Sequence, residues 1–199
     1  MLSSPAFRRP VKHRACSPFV MTLVAAAIIA TASVAPPAAN ATIMQYLEIE
    51  DLARLSSDIF RGQVVSASVY WNAERTHIYT AIRVQINETF KGSTYRDQTV
   101  TVTQPGGEKD GIRMDYAGRP EFTMGEPVAL FTIRGKNDDF IIVGLKQGKM
   151  RIERNEVVRD FSGILLVDGA GRGKGLRPAT LKSTRLTVDE LRNRITRGR

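Results

Sequence analysis

Residues 57–92, SDIFRGQVVSASVYWNAERTHIYTAIRVQINETFKG, decide the fold of this chain. In the second half of the stretch, apolar and polar residues alternate. One side of an extended chain would carry Ile78, Thr80, Ile82, Val84 and Ile86, and the other side Arg83, Gln85, Asn87 and Thr89. A period of two is typical of a strand with one buried face and one wet face. Residues 59–71 are rich in valine and aromatic residues, and 72–76 form a polar turn, so the stretch predicts two long antiparallel strands.

The first 41 residues have the three parts of a secretory signal. A basic opening (Arg8, Arg9, Lys12, Arg14) precedes an apolar run over 19–35 and the small residues 39–41. We place the cleavage between Ala41 and Thr42, which predicts an exported protein, periplasmic or extracellular. A membrane anchor is the alternative reading. The run is slightly short for a bilayer and its middle is mostly alanine, so no stable anchor is expected after cleavage.

The single cysteine and the distribution of charge bear on how the protein after cleavage is stabilised and where its basic residues lie. Cys16 is the only cysteine and precedes the cleavage point, so residues 42–199 can form no internal disulfide and must be stabilised by packing. The formal net charge is +9. Much of it comes from residues 169–199, where nine basic residues stand against only Asp189 and Glu190.

The rest of the chain predicts short strands between two helices. Helical spacing of leucines predicts a helix over 45–55, and Gly62, where the alternation slips, predicts a β-bulge. Further strands are expected over 99–103, 112–116, 128–134, 140–145, 150–152 and 157–161, with a loop over 108–111. Residues 128–133 and 140–145 are apolar on both faces, which suits strands covered on two sides, by a barrel interior and the N-terminal helix. Thr187 and Glu190 form a capping box that begins a final helix.

These elements predict a mainly β protein. The fold class is a small closed or partly open antiparallel β-barrel, OB-like, with a short N-terminal helix and a C-terminal helix. The domain organisation is a signal peptide over 1–41, a barrel domain over 42–168, and a basic Gly-rich linker with the C-terminal helix over 169–199.

Three short segments resemble the netrin-like module, the OB-fold domain of tissue inhibitors of metalloproteinases. They are 57–64 opening a long strand, Phe90-Lys91-Gly92 closing the next, and Phe122 with Gly125-Glu126 before an apolar strand. The chain is also similar to a group of exported bacterial proteins of unknown function, over about residues 45–152. The resemblance implies the OB fold and an inhibitor-like role. The inhibitors chelate the protease metal through an N-terminal cysteine, which this chain lacks after cleavage, so their inhibitory residues correspond to no position here.

Candidate ligand contacts fall in two groups. Tyr70, Trp71 and Tyr79 gather at the ends of the central hairpin, where an aromatic face could stack sugars or bases, although cross-strand packing is the plainer explanation. Basic residues are not interleaved among them, which indicates that nucleic acid is not the ligand. The second group, Arg172, Lys174 and Arg177, lies in the basic linker.

Catalytic, cofactor and metal sites are not expected. His77 is the only histidine left after cleavage and has no His or Cys partner, so we expect it at the surface. Residues 169–175 fail the phosphate-loop pattern at Asp168 and Gly175. Glu108, Asp110 and Asp115 flank a glycine-rich loop, where a calcium site lacks the regular acidic spacing.

Three functions remain open from the sequence. The first is an exported, non-catalytic binding or interaction module for a protein or polysaccharide ligand, with an inhibitor-like role as a variant. The second is a binder of anionic polymers or anionic surfaces that acts through the basic C-terminal tail. The third is a hydrolase that uses only Glu108, Asp110 and Asp115. The oligomeric state is left open.

Overall fold

The computed structural model describes residues 42–167 and 184–198. The strands are β1 (Thr42–Gln45), β2 (Asp58–Trp71), β3 (Ile78–Lys91), β4 (Thr99–Pro105), β5 (Gly107–Lys109), β6 (Ile112–Met114), β7 (Pro127–Arg134), β8 (Phe140–Ile142), β9 (Lys149–Glu153), β10 (Glu156–Arg159), β11 (Ile164–Val167) and β12 (Thr184–Thr187). The helices are α1 (Ile49–Leu55) and α2 (Val188–Arg197), and a 3₁₀ helix spans Leu145–Gly148. The chain is therefore mainly β, as predicted.

Five strands form a ring. The main sheet has the order β12-β10-β9-β7-β2-β3-β4-β8, and β8 also pairs with β7. The ring β7-β2-β3-β4-β8 is antiparallel except for the contact between β4 and β8, which is parallel and consists of one residue pair, Val102 and Phe140. A five-stranded, partly open barrel is the OB arrangement. The predicted OB-like barrel is confirmed, with partial closure.

The predicted inward face of β3 fills this barrel. The barrel core consists of Phe60, Val64, Ile82, Val84, Ile86, Val100, Val102, Val128, Leu130, Phe140 and Ile142. Ile82, Val84 and Ile86 are fully buried. Across the barrel, the rings of Phe60 and Phe140 meet edge to face with centroids 5.6 Å apart. The period-two pattern thus identified the residues that hold the barrel together.

The slip in the alternation of β2 is a real irregularity. The register between β2 and β3 shifts at three places, one of them between Arg61 and Gly62. At Gly62 the two backbones approach so closely that a Cβ would lie 2.3 Å from the carbonyl oxygen of Gln85. Only glycine fits such a position, and a bulge there bends the strand around the barrel. The bulge predicted near Gly62 is confirmed.

Strand β7 is buried on both faces. Val128 and Leu130 point into the barrel, whereas Ala129 and Phe131 belong to a second core on the opposite face. That second core also contains Ile49, Leu52, Ala53, Ile59, Phe90, Met150, Val157, Val188, Leu191 and Ile195. Successive side chains of a strand point to opposite faces, so a strand apolar at every position needs two covers. The prediction of two-sided burial is confirmed for residues 128–132. It is wrong for Ile133 and, in β8, for Ile141, which are 39% and 42% exposed.

Helix α2 provides part of the outer cover. Its first turn has the predicted capping box: the Thr187 hydroxyl accepts from the Glu190 amide at 3.2 Å, and the Glu190 carboxylate accepts from the Thr187 amide at 2.7 Å. Val188, Leu191 and Ile195 form its buried stripe. Just before the helix, β12 adds to the edge of the sheet by pairing with β10. Residues 184–198 are therefore an integral part of the fold.

The N-terminal prediction needs correction. The helix expected over 45–55 begins only at Ile49, because residues up to Gln45 form β1, which pairs in parallel with β11. A capping box between Glu48 and Asp51 starts the helix. Local sequence shows no sign of β1, since its partner lies more than 100 residues away.

The segment between β1 and α1 is held by Arg159, which is buried at 1% exposure. Its guanidinium donates to the Leu47 carbonyl oxygen at 2.9 Å and to the Tyr46 hydroxyl at 3.1 Å. The guanidinium also lies over the rings of Tyr46 and Phe161. Burial lowers the pKa of Arg159. These contacts fix the approach of the chain to α1.

Two further predictions were wrong in detail. Of the expected loop over 108–111, Glu108 and Lys109 belong to β5, which pairs with β6 in a small hairpin, and only residues 110–111 form its turn. The strand expected over 140–145 ends at Ile142, because Gly144 and Leu145 adopt positive φ values of 68° and 53° and begin the 3₁₀ helix. Neither α1 nor α2 is long and apolar enough to cross a membrane. The predicted signal, including Ala41, lies outside the described residues, and Thr42 begins β1.

Replacement of Leu191 tests the packing of α2. Leu191→Ala should lower the free energy of unfolding by about 2–5 kcal/mol, because it leaves a cavity in the second core. Urea denaturation followed by circular dichroism measures the change. Asn193→Ala, on the exposed side of the same helix, is the control and should stay within about 0.5 kcal/mol of the wild type. Equal stabilities of the two variants would contradict the packing described.

An ion pair joins the two helices. Arg194 of α2 donates from Nε to Glu50 Oε1 of α1 at 2.7 Å and from Nη2 to Glu48 Oε2 at 3.0 Å. The hydrogen bonds from Arg194 lower the pKa of Glu50 below its ordinary value of 4.5. Both side chains of the Glu50–Arg194 pair are about one-third exposed, which limits its contribution to about 1 kcal/mol.

This pair predicts part of the acid sensitivity of the protein. A depressed carboxyl pKa contributes stability that is present above about pH 4.5 and is lost as the pH falls through the folded-state pKa. Glu50→Gln should therefore be less stable at pH 7 and should lose less stability between about pH 5 and 3 than the wild type. Urea denaturation across that range measures both effects. Glu121→Gln, whose exposed side chain makes no ion pair with a described residue, should keep the wild-type profile, and a matching profile for Glu50→Gln would refute the linkage.

Candidate functional site: an aromatic groove on the barrel

A groove of about 560 Å³ opens on the barrel surface at the ends of β2 and β3. It lies between the β2–β3 turn (72–77) and the β7–β8 turn (135–139). Counted along the chain, these turns join the first of the five ring strands to the second and the fourth to the fifth. In OB folds the corresponding loops, with the face of the second and third strands, bind oligonucleotides and oligosaccharides. We name it the aromatic groove, and its lining includes Tyr70, Trp71, Asn72, Tyr79, Lys136 and Ile141.

Two predicted residues form a tyrosine pair in this groove. Tyr70 and Tyr79 are directly opposite in the β2–β3 ladder. Their ring centroids are 6.0 Å apart and the ring planes differ by 26°. Tyr79 lies between the buried residues Ile78 and Thr80, so its ring is on the outer face. The rings therefore pack across the strands, and Tyr70 remains 41% exposed, leaving a flat aromatic surface open.

Trp71 is held by a residue that sequence reasoning assigned to a different site. Its indole N–H donates to Asp110 Oδ2 at 2.9 Å. Arg75 lies 3.3 Å from the same carboxylate oxygen, and its guanidinium is 5.8 Å from the centroid of the Trp71 ring. Asp110 sits in the turn of the β5–β6 hairpin, so this hairpin orients the indole at the groove. No local pattern links residues 39 positions apart.

The β2–β3 turn is organised by a single side chain. Asn72 Oδ1 accepts from the amides of Thr76 and His77, both at 2.8 Å. Asparagine is favoured in turns because its side chain can replace a backbone acceptor in this way. His77 is exposed, with Nδ1 3.0 Å from the Thr76 hydroxyl. A turn ordered by its own hydrogen bonds loses less conformational entropy when a ligand binds beside it.

The charges of the groove cancel. Among its lining residues only Lys136 and Asp139 are charged, and neither side chain forms an ion pair within the described part of the chain. Asn137 and Thr103 also lie at the groove, and their polar side chains have no hydrogen-bond partner among residues 42–167 and 184–198. The groove can thus offer amide, hydroxyl and aromatic contacts without a strong field.

The three candidate carboxylates do not share one environment. Glu108 lies on β5, and Asp110 holds Trp71 as described. Asp115 accepts from Arg113 Nε at 2.7 Å, and this hydrogen bond lowers the pKa of Asp115, which favours the ionised form over a proton donor. Within the described residues, no group of three or more His, Cys, Asp or Glu side chains is placed to hold a metal ion.

A second groove, of about 350 Å³, contains an ion pair that the sequence did not single out. Lys149 Nζ lies 2.8 Å from both carboxylate oxygens of Glu126 and 4.6 Å from the centroid of the Phe122 ring. The side chains of Lys149 and Glu126 are only 12% and 11% exposed, and burial lowers the pKa of Lys149. The two charges satisfy each other, so this pair joins β9 to the segment before β7.

The basic tail divides into two parts. Arg172, Lys174 and Arg177 lie outside the described residues. Further along the tail, Arg185 pairs with Glu156 at 2.8 Å, Arg192 with Glu88 at 2.8 Å, and Arg194 with the acids of α1. These three arginines are engaged in contacts that dock β12 and α2. They contribute less free positive charge than the sequence indicated.

Sequence reasoning found the aromatic residues but missed the opposite wall of the groove. Lys136, Asn137, Asp139 and Ile141 come from the β7–β8 turn and β8. The signal that could have found them is the OB strand order, which brings this turn beside the β2–β3 turn. No protein-family model and no curated protein matches the chain. Its function therefore has to be inferred from the geometry of the site, because a fold alone does not define one.

Replacement of Asp110 tests the support of Trp71, the only tryptophan in the protein. Asp110→Gly keeps a residue that tolerates the positive φ of 53° and removes the acceptor of the indole N–H. Acrylamide should then quench the tryptophan fluorescence more strongly, because the indole is released. Asp97→Gly is the matched control, since Asp97 is also exposed at a positive φ but has no contact with Trp71. The same quenching in both variants would disprove the role of Asp110.

Proposed function

We propose that this chain is an exported, non-catalytic binding module that takes an oligosaccharide in the aromatic groove. The observation that carries the proposal is the exposed Tyr70–Tyr79 pair, set between the two turns that flank the ligand-binding face of OB folds. The groove volume of about 560 Å³ lies within the range of small-ligand sites. Export is proposed from the signal pattern of residues 1–41.

The chemistry of the groove favours a sugar over a nucleic acid. The broad apolar faces of sugar rings suit an exposed aromatic pair, and sugar hydroxyls suit the open side chains of Asn137 and Thr103. A nucleic-acid groove needs basic residues along the phosphate backbone. Here Lys136 is balanced by Asp139, so a neutral chain of sugars fits the charge of the groove.

A binding role fits the groove better than a catalytic one. No His, Cys or Ser is among the lining residues, and the single lining carboxylate, Asp139, has no second acid beside it in the lining. Glycoside hydrolysis uses a pair of carboxyl groups across the bond. The hydrolase proposal for Glu108, Asp110 and Asp115 is weakened because Asp110 is committed to Trp71 and Asp115 to Arg113.

Two alternatives rest on the sequence alone. Binding of anionic polymers through the tail depends on Arg172, Lys174 and Arg177, which are outside the described residues. Truncation at Asp168 would not test it cleanly, because β12 and α2 would be lost with the tail. The netrin-like resemblance and an inhibitor-like role likewise remain proposals.

Titration with neutral hexasaccharides tests the proposed function. The probes are cellohexaose, maltohexaose and the hexamer of N-acetylglucosamine, and single-stranded oligothymidine is the competing class. We expect saturable binding of at least one hexasaccharide, measured by calorimetry and by the fluorescence of Trp71 at the groove. Tyr70→Ala and Tyr79→Ala should each weaken it by at least about fivefold, since one stacked ring contributes about 1 kcal/mol or more.

Tyr95→Ala is the matched control for these variants. Tyr95 is 66% exposed and lies in the β3–β4 loop, outside the aromatic groove, so its loss should leave the affinity unchanged. The proposal fails if all three tyrosine variants bind alike, if oligothymidine is the only ligand, or if no hexasaccharide binds.

A further inference from the structure

A third groove, of about 470 Å³, is rich in arginine and lies beside α2 on the outer face of the sheet. We name it the arginine groove and define it by Arg61 of β2, Asn87 and Glu88 of β3, Arg96 of the β3–β4 loop and Arg154 of the β9–β10 turn. It is separate from the aromatic groove, because Arg61 and Tyr70 are roughly 30 Å apart along β2 at the usual rise per residue.

The only carboxylate in the arginine groove is already neutralised. Glu88 Oε1 lies 2.8 Å from Nη2 of Arg192, which reaches in from α2. Glu88 Oε2 lies 2.8 Å from Nε of Arg61. Both carboxylate oxygens are therefore occupied by guanidinium groups. The remaining arginines of the groove have no acid left to balance them.

Several donors of the groove are without a partner. Within the described part of the chain, Arg96, Arg154 and Asn87 form no side-chain hydrogen bond, ion pair or ring contact. The Nε–H of Arg61 is buried and lacks an aligned hydrogen bond even though Glu88 is near. Each guanidinium carries five N–H donors. The groove thus presents two solvent-accessible guanidinium groups, of Arg96 and Arg154, that have no acceptor among the described residues and come from separate parts of the chain.

Arg154 lies in the turn of the β9–β10 hairpin with a φ of 61°, in the left-handed region. Such turn positions favour Gly, Asn or Asp. Arg75 adopts a similar φ of 53° in the β2–β3 turn, so the conformation of Arg154 belongs to the turn and is not by itself a sign of function.

We propose that the arginine groove binds a phosphate dianion, either free or as a monoester. Guanidinium forks match phosphate oxygens and form charge-assisted, often bidentate, hydrogen bonds. Arg96 and Arg154 are the two cations without an acid, so their charge matches a dianion better than a single carboxylate. Arg61 and the side-chain amide of Asn87, which also line the groove, supply further donors. The site would be independent of the aromatic groove.

Calorimetry at fixed ionic strength tests this proposal with inorganic phosphate, glycerol 3-phosphate and acetate as probes. We expect saturable binding of at least one phosphate probe and no comparable binding of acetate. Arg96→Gln/Arg154→Gln should weaken phosphate binding by at least about tenfold, because each lost charged hydrogen bond costs about that factor. Tighter binding of glycerol 3-phosphate would assign a phosphorylated molecule as the source, and tighter binding of inorganic phosphate would assign the free ion.

Arg83→Gln/Lys109→Gln is the charge-matched control. It removes two exposed cations that lie outside the arginine groove and form no hydrogen bond, ion pair or ring contact with described side chains. The control should bind phosphate like the wild type. Equal weakening in both double variants would show only a general charge effect and would overturn the proposal, as would equal affinity for acetate or no saturable binding by the wild type. None of these outcomes affects the sugar titration, so the two proposals can fail separately.

Discussion

The double burial of β7 is the constraint on which the rest of the structure depends. Val128 and Leu130 close the barrel core, and Ala129 and Phe131 require a second apolar layer on the other side. A single barrel cannot supply that layer. Helices α1 and α2 provide it, which makes the last described residues of the chain as necessary to the fold as the barrel strands. Ion pairs from Arg192 and Arg194 then tie α2 to β3 and α1.

Closure of the five-stranded ring brings together the two turns that form the walls of the aromatic groove. When β8 reaches β4, the β7–β8 turn comes beside the β2–β3 turn, although more than 50 residues separate them in the chain. The tyrosine pair sits on the outer face, where it takes no part in either core. Its rings are therefore available for contacts outside both cores. Asn72 orders the β2–β3 turn beside the pair, and Asp110 holds the indole of Trp71 through a hydrogen bond.

Many basic residues that the sequence suggests are free form ion pairs in the structure. A formal net charge of +9 suggests a surface that attracts polyanions. Arg185, Arg192 and Arg194 instead meet acids of neighbouring elements and act in docking. Glu88 forms ion pairs with the guanidinium groups of Arg61 and Arg192, so no carboxylate of the groove is left to balance Arg96 and Arg154. Among the described residues, two arginines without an acid partner thus lie together in a groove assembled from distant segments.

The sequence by itself determined the features that depend on neighbouring residues: the alternation of strands, a bulge, a strand buried on both faces and the start of a helix. The alternation over 78–86, the slip at Gly62, the two-sided burial of residues 128–132 and the capping box at Thr187 all correspond to observed features. These patterns arise because burial and end-capping act on neighbouring residues.

The tertiary structure alone decided the rest. The pairing of β1 with β11 and of β10 with β12, the bond between Trp71 and Asp110, and the two walls of each groove all join residues far apart in the chain. Short edge strands and grooves form only when a partner is present, so no single segment carries their signature. Pairing across the chain, rather than local pattern, places the candidate sites.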